Sequence, residues 1–127
     1  MTDTFDPSIP IYLQLAERIE RQILRGELKP GDKLPSVRDM AIESGVNPNT
    51  VQRTYREMEA MLIVETKRGQ GTFVTENEAI LQTMRNTLKT NEISRFVNGM
   101  KAMGYSNIEI ISGLEAFLSE MKGREEE

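Results

Sequence analysis

Six cationic side chains could contact the phosphates of a nucleic acid. All six fall between positions 33 and 68, where the predicted helices and hairpin would bring them to one shared face: Lys33, Arg38, Arg53, Arg56, Lys67 and Arg68. A local positive stripe is enough for phosphate contact on a module that is neutral overall. Residues 1–75 hold 10 Lys and Arg against 11 Asp and Glu, and residues 76–127 hold 6 against 9. The net charge of −4 is therefore concentrated in the C-terminal part.

Most catalytic chemistry lacks its central residue in this chain. Cysteine and histidine are both absent, which excludes thiol nucleophiles, disulfide frameworks, histidine acid–base relays and the usual zinc sites. No periodicity places paired acids together, so a carboxylate site is not predicted either. We expect a protein that is not an enzyme, with no catalytic residue, no metal and no cofactor.

Length and hydropathy restrict the architecture and the location. A chain of 127 residues has room for one small domain and an appendage. The apolar runs are far shorter than the roughly 20 residues that a membrane span requires. The segment from Met1 to Phe5 carries acids and hydroxyls, where a secretory signal carries lysines and an apolar core. We expect no membrane contact and a cytoplasmic location.

Three helices are predicted in the first half of the chain. The first begins near Pro10 and ends near Gly26, with its apolar face formed by Tyr12, Leu15, Ala16, Ile19 and Ile23. A Pro-Gly turn follows, and then a very short strand at Lys33-Leu34.

The second and third helices are joined by a short glycine turn. Ser36 and Asp39 form a capping box that starts the second helix, which ends at Gly45. Asn47 caps the third helix and Pro48 takes its first position. Its apolar positions are Val51, Tyr55, Met58 and Leu62. This pattern is typical of a helix-turn-helix, although helical hairpins that do not bind DNA share it.

A β-hairpin directly follows the helix pair. Two β-branched segments, 63–67 and 72–75, flank Arg68-Gly69-Gln70-Gly71. In a winged helix this hairpin is the wing, whose glycines let its tip approach a DNA backbone or minor groove. The alternative is an ordinary tight turn that needs glycine only for positive φ.

Four ordered motifs carry a family resemblance over about half of the chain. They are Pro10-Ile11-Tyr12, the stretch 26–38, the run 46–53 and Arg68-Gly69-Gln70-Gly71-Thr72-Phe73-Val74. Together they closely resemble the DNA-binding domain of the GntR family of bacterial repressors. The form Asn-Pro-Asn-Thr-Val with a short tail resembles the YtrA-like subgroup, whose members have a tail of about two helices and are often encoded beside transporter genes.

The resemblance implies which residues would contact DNA. They are Arg38 on the second helix, Asn47, Pro48, Asn49, Thr50, Gln52 and Arg53 at the start of the third, and Arg68, Gly69, Gln70 and Gly71 in the wing. Arginine can bond guanine bidentately, and asparagine and glutamine can bond adenine. Asn47 and Thr50 can instead serve mainly as helix caps, and Arg38 as a solvated surface residue. Some family members carry arginine in place of Pro48, so their operator sequence cannot be transferred.

The tail is predicted to be helical. One helix spans 76–89, a second continues through Ile93 and Phe96 to Gly104, and a third starts at the capping box Ser106 and Glu109. Their wide apolar stripes favour pairing of two copies. Packing of the tail on the winged-helix domain is the alternative.

These observations predict a mainly α fold with a small β-hairpin. Residues 1–75 form a winged helix-turn-helix DNA-binding domain, and residues 76–127 form a helical tail for dimerisation or effector response. The predicted function is a transcriptional regulator, a repressor, that binds a two-fold double-stranded DNA operator as a homodimer, with transporter genes as candidate targets and a small-molecule effector of unidentified kind. The alternative function is a winged-helix protein-protein interaction module.

Overall fold

The computed structural model describes residues 4–126. Part of the N-terminal segment on which we predicted no secretory signal therefore lies outside the described residues. The elements are α1 (Ile11–Leu24), α2 (Val37–Ser44), α3 (Pro48–Ala60), β1 (Val64–Lys67), β2 (Gly71–Val74), α4 (Glu78–Ala102) and α5 (Asn107–Glu126). The predicted mainly helical fold with one hairpin is confirmed. The chain forms two compact units, the first ending at Arg85 and the second starting at Asn86.

Helix α3 is the centre of the first unit. Helices α1 and α2 and strand β1 all pack against it. Helix α1 starts after Pro10 and buries Leu15, Ile19 and Ile23 on one face, as the four-residue spacing predicts. Burial of this face against α3 removes apolar surface from water and holds α1 in place.

The helix-turn-helix is formed by the predicted caps. The Ser36 hydroxyl accepts a hydrogen bond of 3.1 Å from the Asp39 backbone N–H, and the Asn47 side-chain oxygen accepts one of 2.7 Å from the Asn49 N–H. Gly45 ends α2 with φ of 66°, a left-handed conformation that glycine adopts without steric cost. These two hydrogen bonds and the left-handed Gly45 define the ends of α2 and the start of α3.

Leu62 does not continue the apolar face of α3, so that part of the sequence prediction is wrong. The helix ends at Ala60, the Ile63 N–H donates to the Met58 carbonyl at 3.0 Å, and Leu62 adopts φ of 65°. This is a Schellman ending, which reverses the chain and turns the next apolar residue inward. Ile63 is buried in place of Leu62, which is 61% exposed.

The hairpin is paired on both sides of β2. Strands β1 and β2 are antiparallel, with Val64 opposite Val74 and Lys67 opposite Gly71. On the other side the Leu34 N–H donates to the Thr72 carbonyl at 2.8 Å, and the Val74 N–H to the Asp32 carbonyl at 2.8 Å. The short strand expected at Lys33-Leu34 is a bridge of this kind. This bridge and its hydrogen bonds connect the segment before α2 to the wing.

The helices of the tail differ from the prediction in number. A single helix, α4, replaces the two expected around positions 76–104, because the residues between Lys89 and Ile93 include no glycine or proline to end it. The Ser106 and Glu109 capping box is confirmed, with reciprocal hydrogen bonds of 3.0 and 3.2 Å. Within residues 4–126, no helix is long and apolar enough to cross a membrane.

The apolar side chains of the second unit are largely exposed. Ile110 is buried, whereas exposure ranges from 41% to 59% at Ile93, Phe96, Ile111, Leu114, Phe117, Leu118 and Met121. Such a concentration of exposed large apolar side chains marks an interaction surface in soluble proteins.

Candidate nucleic-acid interface

Helix α3 separates its side chains into a buried and an exposed face. Val51, Thr54, Tyr55 and Met58 are buried against α1, α2 and β1. The polar positions between them stay accessible, with Thr50 half-buried and the others exposed: Asn47, Pro48, Asn49, Gln52 and Arg53. All six positions were singled out from the sequence, and the structure brings them together over the first two turns of one helix.

Asn47 has a defined structural role at the start of this helix. Its side-chain oxygen accepts from the Asn49 N–H, and its backbone carbonyl accepts from the Thr50 N–H at 2.9 Å. The amide oxygen of Asn47 is therefore used within the protein. Asn49 and Gln52 are exposed and have no described side-chain partner of this kind, so their amides, each with donors and an acceptor, are available for other partners.

Arg53 lies against an aromatic ring that the sequence reasoning did not assign to the site. Its guanidinium carbon is 3.9 Å from the ring centroid of Tyr12, at the N-terminal end of α1. The helical spacing of α1 placed Tyr12 on the buried face, but its ring is only half-buried. Periodicity reports the face of a single helix, so no signal in the sequence could reveal a contact between two helices.

Arg38 is exposed at the second position of α2. No carboxylate among the described residues forms an ion pair with it. Helix α2 is held to α3 by packing and by a hydrogen bond of 2.7 Å from the Tyr55 hydroxyl to the Pro35 carbonyl. Burial, with the negative charge of Glu43 nearby, raises the pKa of Tyr55. The hydroxyl thus remains a donor at neutral pH.

The wing exposes Arg68, Gly69 and Gln70 at its tip and leaves Gly71 half-buried at its base. Gly71 has φ of 126°, and a Cβ there would lie 2.7 Å from the Cε atom of Lys33. The lysine side chain therefore crosses the base of the wing, and its flexible end would have to shift to admit a side chain at position 71. The nearby Lys67 Nζ atom lies 4.9 Å from the ring centroid of Phe73. Both sides of the wing base carry a cation.

The structure keeps the α3 positions and the wing positions as two separate groups. The hairpin attaches to the far end of α3, where the Thr66 N–H donates to the Glu59 carboxylate at 3.1 Å. No hydrogen bond or ion pair described for residues 4–126 joins positions 68–71 to positions 47–53. A helix of 13 residues is roughly 20 Å long. Two groups at opposite ends of such a helix can contact DNA at different points.

The arrangement has the chemical means to bind a nucleic acid. Amide and guanidinium groups on one exposed helical face can pair with base edges, and arginine and lysine can neutralise phosphates. Within the described part of the chain, no group of three or more acidic residues could hold a metal ion.

The family model described as "Bacterial regulatory proteins, gntR family" matches residues 11–74. Among curated proteins, an uncharacterized HTH-type transcriptional regulator of Bacillus subtilis, YhcF, is 50% identical over 92% of this chain and 97% of its own length. The B. subtilis HTH-type transcriptional repressor YtrA is 50% identical over 55% of this chain and 54% of its own length. Both relatives are named as regulators of transcription.

A solved structure is similar over most of the chain. A GntR family transcriptional regulator from Listeria monocytogenes is 36% identical and superposes with a TM-score of 0.82, covering 88% of this chain and 98% of its own. The similarity thus extends past the matched residues 11–74 into the tail.

Proposed function

The chain belongs to the GntR family of bacterial regulatory proteins, and from this premise we propose that it represses transcription by binding a two-fold operator as a homodimer. The family assignment makes it a DNA-binding transcriptional regulator. The operator symmetry, the dimer and the sign of regulation are our proposals. YtrA is named a repressor, which supports repression over activation. The resemblance to its subgroup supports transporter genes as targets.

The exposed polar face of α3 is the observation that carries the proposal. We propose that Asn49, Gln52 and Arg53 contact base edges in the major groove. All three are exposed, whereas Val51 between them is buried and Thr50 is half-buried, and a recognition helix requires such an exposed polar face. Asn47, Pro48 and Thr50 would lie beside them at the helix start, where Asn47 also serves as the cap and the ring of Pro48 can offer only an apolar contact.

The remaining assigned residues would contact the DNA backbone. Arg38 is exposed on α2 and has no described ion pair, so its charge is available for a phosphate. In the wing, Arg68 and Gln70 would bind the flanking backbone or minor groove, with Gly69 and Gly71 permitting close approach.

We propose that residues 1–75 bind DNA and that residues 76–127 pair two copies. The exposed apolar side chains of α4 and α5 support a second copy as their partner, because exposed patches of this kind are costly on a soluble monomer. Pairing would double the phosphate contacts and the base-reading area. The half-sites would then lie about 10 bp apart or a multiple of it.

A small-molecule effector remains part of the proposal. A cavity of about 340 Å³ lies beside α1 and α2, within the size range of small-ligand sites. Its lining combines apolar residues such as Leu15, Ile19 and Met40 with the charged Glu27 and Glu43. A molecule bound there would contact α1 and α2, the two helices that pack against α3.

Selection of bound sequences from random duplex DNA at a stated salt concentration tests the proposal. The expected result is an enriched pseudo-palindrome, with affinity that falls steeply as salt rises because several phosphates are neutralised. Enrichment of one unrepeated site would overturn the two-fold arrangement. A folded protein that prefers no duplex even at low salt would overturn DNA binding and favour the protein-interaction module.

A further inference from the structure

We propose that Tyr12 is a positioning residue that holds the guanidinium of Arg53 in the orientation used to contact DNA. The inference rests on the proposed function, which places Arg53 in the major groove. The observation behind it is the 3.9 Å separation between the Arg53 guanidinium carbon and the Tyr12 ring centroid. At this distance the cation lies over the ring face in a cation–π contact.

The backbone that carries the Tyr12 ring is fixed by its place in the fold. It is the second residue of α1, and its backbone carbonyl accepts a hydrogen bond of 3.2 Å from the Thr54 hydroxyl. Thr54 is fully buried and directly follows Arg53 in α3. The backbones of α1 and α3 are therefore joined where they carry the ring and the arginine, which keeps the two side chains close to each other.

Arg53 has no competing partner among the described residues. It is exposed, and no carboxylate within residues 4–126 forms an ion pair with it. A long side chain of this type loses much rotamer freedom when it is immobilised on DNA. Contact with Tyr12 restricts that freedom before binding, so less is lost in the complex.

The manner of contact leaves the arginine able to bind. The five N–H donors of a guanidinium lie in its plane and point outward, whereas Tyr12 covers only one face. An ion pair with a carboxylate would occupy two of those donors. Stacking is thus the way to hold this side chain that keeps its hydrogen-bonding edge available for a base or a phosphate.

The chain contains a matched control for the same interaction. Arg18 lies over the ring of Phe5 with 4.0 Å between the guanidinium carbon and the ring centroid. Neither residue belongs to α2, α3 or the wing. Replacing Phe5 removes an arginine–aromatic contact of similar distance that also involves α1, through Arg18. The replacement leaves the contact between Arg53 and Tyr12 unchanged.

The test measures the affinity of each full-length variant for the selected duplex and for its single-base variants. Tyr12→Leu should lower discrimination between them about two- to fivefold, the range that corresponds to an exposed cation–π contact. Tyr12→Phe should retain wild-type discrimination, because the ring face remains. In an Arg53→Ala background, Tyr12→Leu should have no further effect. Phe5→Leu should leave discrimination unchanged.

Four results would overturn the inference while leaving DNA binding intact. They are wild-type discrimination in Tyr12→Leu, an equal loss in the Arg53→Ala background, an equal loss in Phe5→Leu, and a loss in Tyr12→Phe, which would assign the effect to the hydroxyl. If wild type itself prefers no duplex, the proposed function fails instead.

A measurement on the unaltered protein keeps the inference testable if Tyr12→Leu does not fold. The Arg53 side-chain protons of the wild-type protein should show upfield NMR shifts from the Tyr12 ring current. These shifts should persist at low temperature without DNA. Random-coil shifts at those protons would overturn the positioning role.

Discussion

The hydroxyl of Tyr55 on α3 donates a 2.7 Å hydrogen bond to the backbone carbonyl of Pro35, 20 residues earlier. The bond joins α3 to the segment that leads into α2. It therefore contributes both to stability and to the relative position of the two helices of the helix-turn-helix.

Tyr55→Phe should lower the free energy of unfolding by about 1 kcal/mol, the usual net value of one hydrogen bond. Urea unfolding followed by circular dichroism measures the change. Tyr105→Phe is the control, because Tyr105 is 43% exposed and its hydroxyl has no described partner. Equal stability of Tyr55→Phe and wild type would show that the bond contributes nothing.

Arg68→Ala should weaken DNA binding by about tenfold at every sequence tested, because a charge-assisted hydrogen bond contributes about 1.5 kcal/mol. The slope of log affinity against log salt should fall by about 1. Arg124→Ala removes an equal charge from the exposed end of α5 and should change neither quantity. A loss confined to one base pair would assign Arg68 to base recognition instead.

Phe117→Lys should weaken the proposed dimer. Phe117 is 59% exposed in α5, so the change should not affect folding, but burial of a phenylalanine is worth about 1.5–3 kcal/mol. The dimer dissociation constant should rise at least about tenfold, measured by sedimentation equilibrium. Glu115→Lys is the control at another exposed position of α5, and it should raise the dimer dissociation constant less. A monomeric wild type would contradict the proposed pairing.

Leu62→Gly should stabilise the protein by about 0.5–1 kcal/mol. Leu62 has φ of 65°, a conformation that costs a branched side chain about 1–2 kcal/mol and glycine almost nothing. Thermal unfolding gives the comparison. Met61→Gly is the opposite control, since Met61 has φ of −86° and glycine there should destabilise. A lower melting temperature for Leu62→Gly would mean that its side chain contributes more to the fold than its 61% exposure implies.

Glu20 should make stability depend on pH. It is 7% exposed, and its burial, reinforced by the charge of Glu17, raises its pKa from 4.5 to about 7. Between these values Glu20 binds more protons in the folded state than in the unfolded state, so its contribution to stability is fully present below pH 4.5 and is lost as the pH rises towards 7.

Glu20→Gln should therefore stabilise the protein above pH 7 by about 2 kcal/mol, less than the full shift because of solvent screening, and should have little effect below pH 4.5. Melting temperatures at a series of pH values measure this. Glu57→Gln, at an exposed position of α3, should keep the wild-type dependence. A flat wild-type profile from pH 5 to 7 would rule out the role of Glu20.

Local signals predicted the first unit well because its boundaries depend on local chemistry. The caps at Ser36 and Asn47 and the glycine at position 45 satisfy backbone groups within a few residues, so sequence spacing is enough to find them. The candidate DNA-contacting residues of α3 follow from the same periodicity, since their neighbours are buried.

Features that depend on distant residues could not be found in this way. The Schellman ending at Leu62 appears only because Ile63 is buried in the core. Stacking of Arg53 on Tyr12 requires the packing of α1 on α3. Continuity of α4 past Lys89 reflects the absence of a terminating residue, which apolar spacing alone does not report.

Strand β2 has backbone partners on both sides, β1 on one and the segment Gly31–Leu34 on the other. Positions 68–70 lie outside this paired region, so exchanging them breaks no backbone pairing. The side chains at positions 68 and 70 can consequently vary in evolution at little cost to folding, whereas the φ of 77° at Gly69 favours glycine there. Paralogues with the same core could acquire different preferences for the DNA that flanks their half-sites by substitutions at these positions alone.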